Sequence, residues 1–189
     1  AVSTVLSNYP NQDKIDVISH SMGGLGTRGY IQGLAISKSG FSRSYNNDIR
    51  KYVIIASPMY GSYFANIIDG IAGIDISNDH PKCQELINGL KLTGKSEATK
   101  DMEIGSNFIW DLNNNQVNKD VSYLTISGKK LLKNISGIYL NDQDYCLSNN
   151  LEINDGVVPL ISSNLFNYGF YPMVITDFFH SSMPFPISY

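Results

Sequence analysis

One segment restricts the fold of this chain more than any other. Within it, a short apolar run, a turn of small residues and a helical pattern follow one another directly. Residues Ile15–Ser19 are mostly β-branched and suit a strand that is buried in a parallel sheet. From Met22 to Ser37, apolar residues recur at helical spacing. A strand that passes so abruptly into a helix is typical of an α/β layered fold.

The rest of the chain repeats this alternation of strands and helices. Three later apolar runs predict three more strands, at residues 51–56, 121–127 and 173–176. Strands separated by helical patterns favour a mainly parallel sheet that is flanked by helices. Residues Val2–Leu6 have the spacing of the end of an amphipathic helix, which Pro10 would terminate.

Composition excludes several classes of protein. The chain has 189 residues, of which 42% are hydrophobic and 16% are charged, as expected for one globular domain. A formal net charge of −3 is not that of a nucleic-acid-binding protein. No run reaches the roughly 18 apolar residues that a membrane-spanning helix needs.

The chain has two cysteines, Cys83 and Cys146, without the paired spacing of a zinc site. They form either one disulfide or two free thiols, and the disulfide is slightly favoured.

Ser21 lies at the predicted strand-to-helix turn and is the candidate nucleophile. A serine hydroxyl needs a neighbouring base to react near neutral pH. At the start of a helix, the backbone N–H of Met22 would face a developing oxyanion. The small residues Ser19 and Gly23 would allow the strand and the helix to approach closely. The alternative interpretation is that Ser21 only caps the helix.

This turn resembles the nucleophile elbow of the α/β-hydrolases, and most of all that of bacterial triacylglycerol lipases. Residues 19–25 read Ser-His-Ser-Met-Gly-Gly-Leu, and Arg28 follows at the position where those lipases have an arginine. Ser19 departs from the strict G-x-S-x-G pattern, which has glycine there. The resemblance implies that Arg28 ties the helix to loops near the oxyanion site, and the alternative is a solvated surface arginine.

Three further segments resemble the same family and occur in the family's order. Residues 55–62 are similar to its G-T-P-x-x-G-S segment, with Ser57 in place of threonine. Residues 154–159 are similar to the S-D-G-V-V-P stretch that carries the acid, and residues 180–183 resemble the histidine loop. With the elbow, these matches extend over residues 15–183.

The resemblance implies a catalytic triad of Ser21, Asp155 and His180, with the Met22 N–H as an oxyanion donor. His20 and His80 are the alternative bases, and Asp142, Asp144 and Asp177 are the alternative acids.

The resemblance also implies the architecture. We expect residues 1–189 to form a single α/β-hydrolase domain that lacks the N-terminal strands of the fold. Residues preceding Ala1, or a companion fragment, would supply those strands and a second oxyanion donor. A helical, lid-like insertion is expected at about 58–119; its apolar residues are Phe64, Ile67, Ile68, Ile71, Ile74 and Ile76. Ordinary core helices over the sheet are the alternative for this insertion.

The implied activity is that of a serine carboxylic-ester hydrolase, a lipase or esterase that acts on lipid esters through an acyl-enzyme. No cofactor and no metal are expected, and the ligands of the family's occasional calcium site have no match here. The implied partners are a lipid or small ester substrate and a transient lipid interface, but no nucleic acid. The implied location is secreted or extracytoplasmic. The alternatives are an acyltransferase or lipid-anchor deacylase with the same triad, or a non-catalytic lipid-binding protein.

Overall fold

The structure is a computed structural model that describes residues 2–35, 44–62, 65–66, 96–129, 155, 157–165 and 171–177. Within these residues, four helices and four strands have described bounds, and residues 65–66 are also helical. The helices are α1 (Val2–Ser7), α2 (Met22–Ile31), α3 (Glu97–Asp101) and α4 (Asn107–Asn114). The strands are β1 (Ile15–His20), β2 (Ile49–Ile55), β3 (Ser122–Gly128) and β4 (Met173–Thr176).

The four strands lie side by side in chain order, and each adjacent pair is parallel. Val17 pairs with Tyr52, and Tyr52 pairs with Tyr123 on the next strand. This sheet confirms the parallel α/β arrangement that the sequence predicts. Because the strands point in the same direction, their carboxyl ends meet along one edge, where parallel α/β sheets bind ligands.

Each of the four predicted strands is present, but the predicted helix over 22–37 is too long. α2 ends at Ile31, and Gly33 then adopts a left-handed backbone with φ of 74°. The Gly33 N–H donates to the Tyr30 carbonyl at 3.0 Å, and the Leu34 N–H donates to the Gly29 carbonyl at 2.7 Å. This is a Schellman motif, in which glycine relieves the steric cost of the left-handed residue. The glycine therefore ends the helix before the helical pattern ends.

The core lies on the face of the sheet that α2 and α4 cover. It contains apolar residues from both helices, from β2 and β3, and from adjoining loops: Leu25, Ile31, Ile49, Tyr52, Ile54, Met59, Ile109, Leu112, Val117, Val121, Tyr123 and Leu165. Each fully buried side chain of this size contributes about 1.5–3 kcal/mol. Side chains alternate between the faces of a strand, and Ile18 on the other face is 71% exposed.

Residues 96–129 include the last part of the predicted insertion. α4 begins at a side-chain cap, in which Ser106 Oγ accepts the Ile109 N–H at 3.1 Å. Its Ile109 and Leu112 belong to the core, so this helix packs on the sheet as an ordinary core helix. The six apolar residues expected in a lid lie outside the described residues.

α1 confirms the helical end that the first residues predict, because it extends from Val2 to Ser7. None of the helices in the described parts of the chain combines the length and the hydropathy of a membrane span.

Candidate active site

Ser21 joins β1 to α2 in a backbone conformation that residues other than glycine rarely adopt. Its φ is 54° and its ψ is −133°. The Ser21 N–H donates to the Ile55 carbonyl at the end of β2, at 2.9 Å, and the Gly24 N–H donates to the Ser21 carbonyl, at 2.9 Å. A non-glycine residue in this region costs about 1–3 kcal/mol, which the surrounding structure has to offset. The strain is therefore located at the predicted nucleophile.

Ser21 occupies the N-cap position of α2, but its side chain does not cap the helix. In the described parts of the chain, two other helices begin after a serine, and they show what capping requires. Ser96 accepts the Thr99 N–H and Ser106 accepts the Ile109 N–H, each with an extended backbone. Ser21 has a left-handed backbone and makes no side-chain capping hydrogen bond. The Ser21 side chain therefore does not cap α2, contrary to the alternative interpretation.

The tightest contact of the turn occurs at Gly24. A Cβ on Gly24 would overlap the Ser57 Oγ and would lie 2.5 Å from the Ser57 Cβ. By contrast, a Cβ on Gly23 would meet the Ser19 Cβ at 3.9 Å, which is an ordinary contact. The expected approach of Ser19 and Gly23 is thus no closer than an ordinary contact, and the crowded position is Gly24, where α2 meets the loop after β2.

A buried phenol connects the two sides of the turn. The Tyr52 hydroxyl on β2 donates to the Gly24 carbonyl at 2.7 Å and lies 2.8 Å from the Ser19 Oγ. Burial raises the pKa of Tyr52, so this hydroxyl stays protonated. Its single hydrogen goes to Gly24, so Ser19 is the donor in the second bond. The serine that departs from the G-x-S-x-G pattern thereby gains a partner.

Tyr52 belongs to the turn although no sequence motif points to it. The available signal was a tyrosine within the run that predicts a buried strand, because a buried phenol requires a hydrogen-bond partner. The partner itself could not be deduced, since Ser19 and Tyr52 are 33 residues apart in the chain.

Arg28 ties α2 to α4 and, through Asn113, to the loop after β2, as the sequence resemblance implies. It is only 1% exposed, which contradicts the alternative of a solvated surface arginine. Its Nη2 donates to the Leu112 carbonyl in the last turn of α4 at 2.8 Å, and its Nη1 donates to Asn113 Oδ1 at 3.1 Å. Positive charge is favourable at the C-terminal end of a helix. Asn113 in turn donates to the Met59 carbonyl at 3.1 Å, which fixes the loop after β2.

Asp155, the predicted acid, is buried with 2% exposure. Its Oδ1 accepts two backbone N–H groups, from Val157 at 3.0 Å and from Val158 at 2.7 Å. These bonds fix the carboxylate in a tight local turn. The turn is attached to the loop after β2, because the Ser62 Oγ donates to the Val157 carbonyl at 2.7 Å.

Ser21 and Asp155 therefore lie along the same edge of the sheet. Ser21 follows β1 and bonds to Ile55, the last residue of β2. The turn of Asp155 binds the loop that follows β2 through Ser62. A second link joins the same two segments, where the Met59 N–H donates to the Ser162 carbonyl at 2.8 Å. Met22, the predicted oxyanion donor, is the first residue of α2, where backbone N–H groups have no intrahelical acceptor.

Of the alternative acids, Asp177 lies within the described parts of the chain. It is exposed and lies 3.4 Å from the Lys129 Nζ, an ion pair at the surface. Of the alternative bases, His20 is half-buried at the end of β1. The remaining predicted residues lie outside the described parts of the chain: His80, Cys83, Asp142, Asp144, Cys146 and His180. The described residues contain no group of three His, Cys, Asp or Glu side chains that could hold a metal ion.

The chain matches one protein family in sequence and one fold in structure. The sequence model of the family described as Lipase (class 2) matches residues 2–151. No curated protein matches the chain in sequence. Among solved structures, the mature form of the Bacillus licheniformis lipase BlEst2 aligns with a TM-score of 0.58 at 18% identity, over 97% of this chain and 69% of that chain.

Two further structures have the same architecture. EstA from Clostridium botulinum has a TM-score of 0.52 and 17% identity, over 93% of this chain and 61% of its own. The Staphylococcus hyicus lipase has a TM-score of 0.52 and 18% identity, over 89% of this chain and 62% of its own. These likenesses show the α/β-hydrolase fold that the sequence predicts. The chain spans less than two thirds of the length of both proteins.

Proposed function

The chain belongs to the class 2 lipase family, and on that premise we propose that it is a serine carboxylic-ester hydrolase of the lipase or esterase type. The observation that carries the proposal is the backbone of Ser21, whose φ is 54° at a strand-to-helix turn. A serine that only caps a helix does not need this conformation. A nucleophile does, because a sharp turn presents its hydroxyl at the end of the sheet.

In the proposed reaction, the Ser21 Oγ attacks the carbonyl carbon of an ester. His180 accepts the Ser21 proton and gives it to the departing alcohol, and Asp155 orients the imidazole. The Met22 N–H stabilises the negative charge on the carbonyl oxygen. Water then attacks the acyl-enzyme, with His180 again as the base, and releases the carboxylic acid. This mechanism uses no cofactor.

An exposed apolar side chain beside Ser21 supports an ester with an apolar acyl group as substrate. Met22 follows Ser21 directly, and its side chain is 49% exposed. Exposed apolar side chains next to a reactive group favour apolar ligands over charged ones. We therefore propose lipid or other apolar esters as substrates. Membership of a lipase family supports, separately, a secreted or extracytoplasmic location for the enzyme.

A fluorophosphonate probe tests the nucleophile directly. The serine oxygen displaces fluoride and becomes phosphonylated, which happens rapidly only in a preorganised site. Trypsin cleaves after Lys14 and Arg28, so the labelled site falls in peptide 15–28. Fragmentation of this peptide separates Ser21 from Ser19. We expect the label on Ser21 in the folded protein and none after denaturation. A label on Ser19, or no label in this peptide, would contradict the assignment.

The proposed acid has its own test in Asp155→Asn. An asparagine retains an Oδ1 acceptor for the Val157 and Val158 N–H groups, so the local turn should survive. The loss of the negative charge should lower kcat by about 10²–10⁴-fold, because the imidazolium is no longer stabilised. Initial rates with p-nitrophenyl butyrate measure the effect.

Asp177→Asn is the matched control, since Asp177 is exposed and pairs with Lys129 at the surface. Its kcat should stay within about twofold of the wild-type value, as for most surface substitutions. If Asp177→Asn were the damaging change and Asp155→Asn the harmless one, the acid would be Asp177.

A further inference from the structure

The turn that carries Ser21 is held by contacts from the neighbouring strand β2. The Ser21 N–H is bonded to the Ile55 carbonyl. Two residues before Ser21, the Ser19 Oγ donates to the Tyr52 hydroxyl oxygen at 2.8 Å. Three residues after Ser21, the Gly24 carbonyl accepts the Tyr52 hydroxyl hydrogen at 2.7 Å. One phenol thus bridges the strand that enters the turn and the helix that leaves it.

This bridge is rigid because Tyr52 cannot move easily. Its side chain is fully buried, and its ring packs edge-on against Tyr123 with the centroids 6.0 Å apart. A buried, fully bonded polar network restricts its members to one arrangement. The turn needs such a restriction, since Ser21 has a strained φ of 54°.

We propose that Tyr52 and Ser19 are positioning residues for the reaction of Ser21. This inference rests on the proposed function. Tyr52 does not touch the substrate; it keeps the two ends of the turn at a fixed separation and so fixes the direction of the Ser21 hydroxyl. Ser19 is the counterpart that makes the bridge possible, which gives a physical role to the residue that departs from the usual glycine.

Tyr52→Phe is the main test, since phenylalanine retains the ring and removes only the bridging hydroxyl. We expect kcat per fluorophosphonate-reactive site to fall about tenfold with p-nitrophenyl butyrate, because small displacements of a reacting group reduce rates strongly. KM should remain within about twofold, since binding groups are unchanged. The second-order rate of labelling at Ser21 should fall by the same factor as kcat.

Further variants distinguish loss of the bridge from a general loss of folding. Ser19→Gly restores the usual residue and breaks the bridge from the other side, so it should lower kcat similarly. The double variant should then be little worse than either single variant, since both remove one bridge. Tyr123→Phe is the matched control, because Tyr123 pairs in register with Tyr52 on the next strand. It should leave kcat unchanged.

The outcomes separate the two proposals. A wild-type protein labelled on Ser21, together with Tyr52→Phe and Ser19→Gly variants that have wild-type kcat per reactive site, would overturn the positioning role alone. A lower Tm with unchanged kcat would show that the bridge is merely structural, which also overturns it. A wild-type protein that is not labelled on Ser21 would overturn the proposed function and the positioning role together.

Discussion

Ser21→Ala should reduce kcat/KM for p-nitrophenyl butyrate by about 10⁴-fold or more, because removal of a triad nucleophile leaves only substrate binding and oxyanion stabilisation. The fold should be unaffected. Alanine also has a Cβ, so the substitution neither relieves nor increases the strain at φ 54°. Steady-state rates and thermal unfolding measure the two effects.

Ser122→Ala is the matched control for this change, since Ser122 is the exposed first residue of β3. It should retain wild-type kcat/KM. If esterase activity persisted undiminished in Ser21→Ala, Ser21 would not be the nucleophile. If neither the wild-type protein nor the variant turned over any ester, while both bound lipid equally, the chain would be a lipid-binding protein.

Gly24→Ala should damage stability and activity together. The added Cβ would overlap the Ser57 Oγ and would come within 2.5 Å of the Ser57 Cβ. Since Ser57 is fully buried, it has little room to move, and overpacking of this kind costs about 1–3 kcal/mol or more. The helix can escape the overlap only by moving away from the loop after β2, which displaces Ser21. We expect a lower free energy of unfolding and a loss of about 10²-fold in kcat.

Gly26→Ala is the control that isolates this contact. A Cβ at Gly26 meets nothing within 4 Å, and the residue lies in the same helix. Alanine should raise the free energy of unfolding by about 0.5–1 kcal/mol, through its better helix propensity. In Gly24→Ala with Ser57→Gly, both overlapping atoms are absent, so part of the lost activity should return. A Gly24→Ala protein as stable and active as Gly26→Ala would contradict the structure at this contact.

The parallel sheet was predictable because its strands are buried on the core face and rich in β-branched residues. Runs such as Lys51–Ala56 and Val121–Ser127 need no tertiary information to be recognised. The end of α2 was predictable in principle, since Gly33 is a known stop signal. The apolar spacing continues past Gly33, which is why the predicted helix extends beyond the observed one.

The contacts of the turn could not be predicted from local sequence. Gly23 and Gly24 are adjacent and chemically identical, and only the position of Ser57 decides which one is crowded. Similarly, an arginine on a helix is usually solvated. Arg28 is buried because the last turn of α4, more than 80 residues later, offers its carbonyl groups. Contacts of this kind depend on how distant segments pack, which spacing within a motif does not encode.

The left-handed backbone of Ser21 has a consequence for engineering. A glycine at position 21 would fit this backbone better than the serine does, so the most stable residue for the turn is not the reactive one. Selection for thermal tolerance alone would thus favour replacement of the group on which the proposed reaction depends. Any programme that stabilises this protein should hold position 21 fixed and seek its gains elsewhere, for example at exposed helix positions such as Gly26.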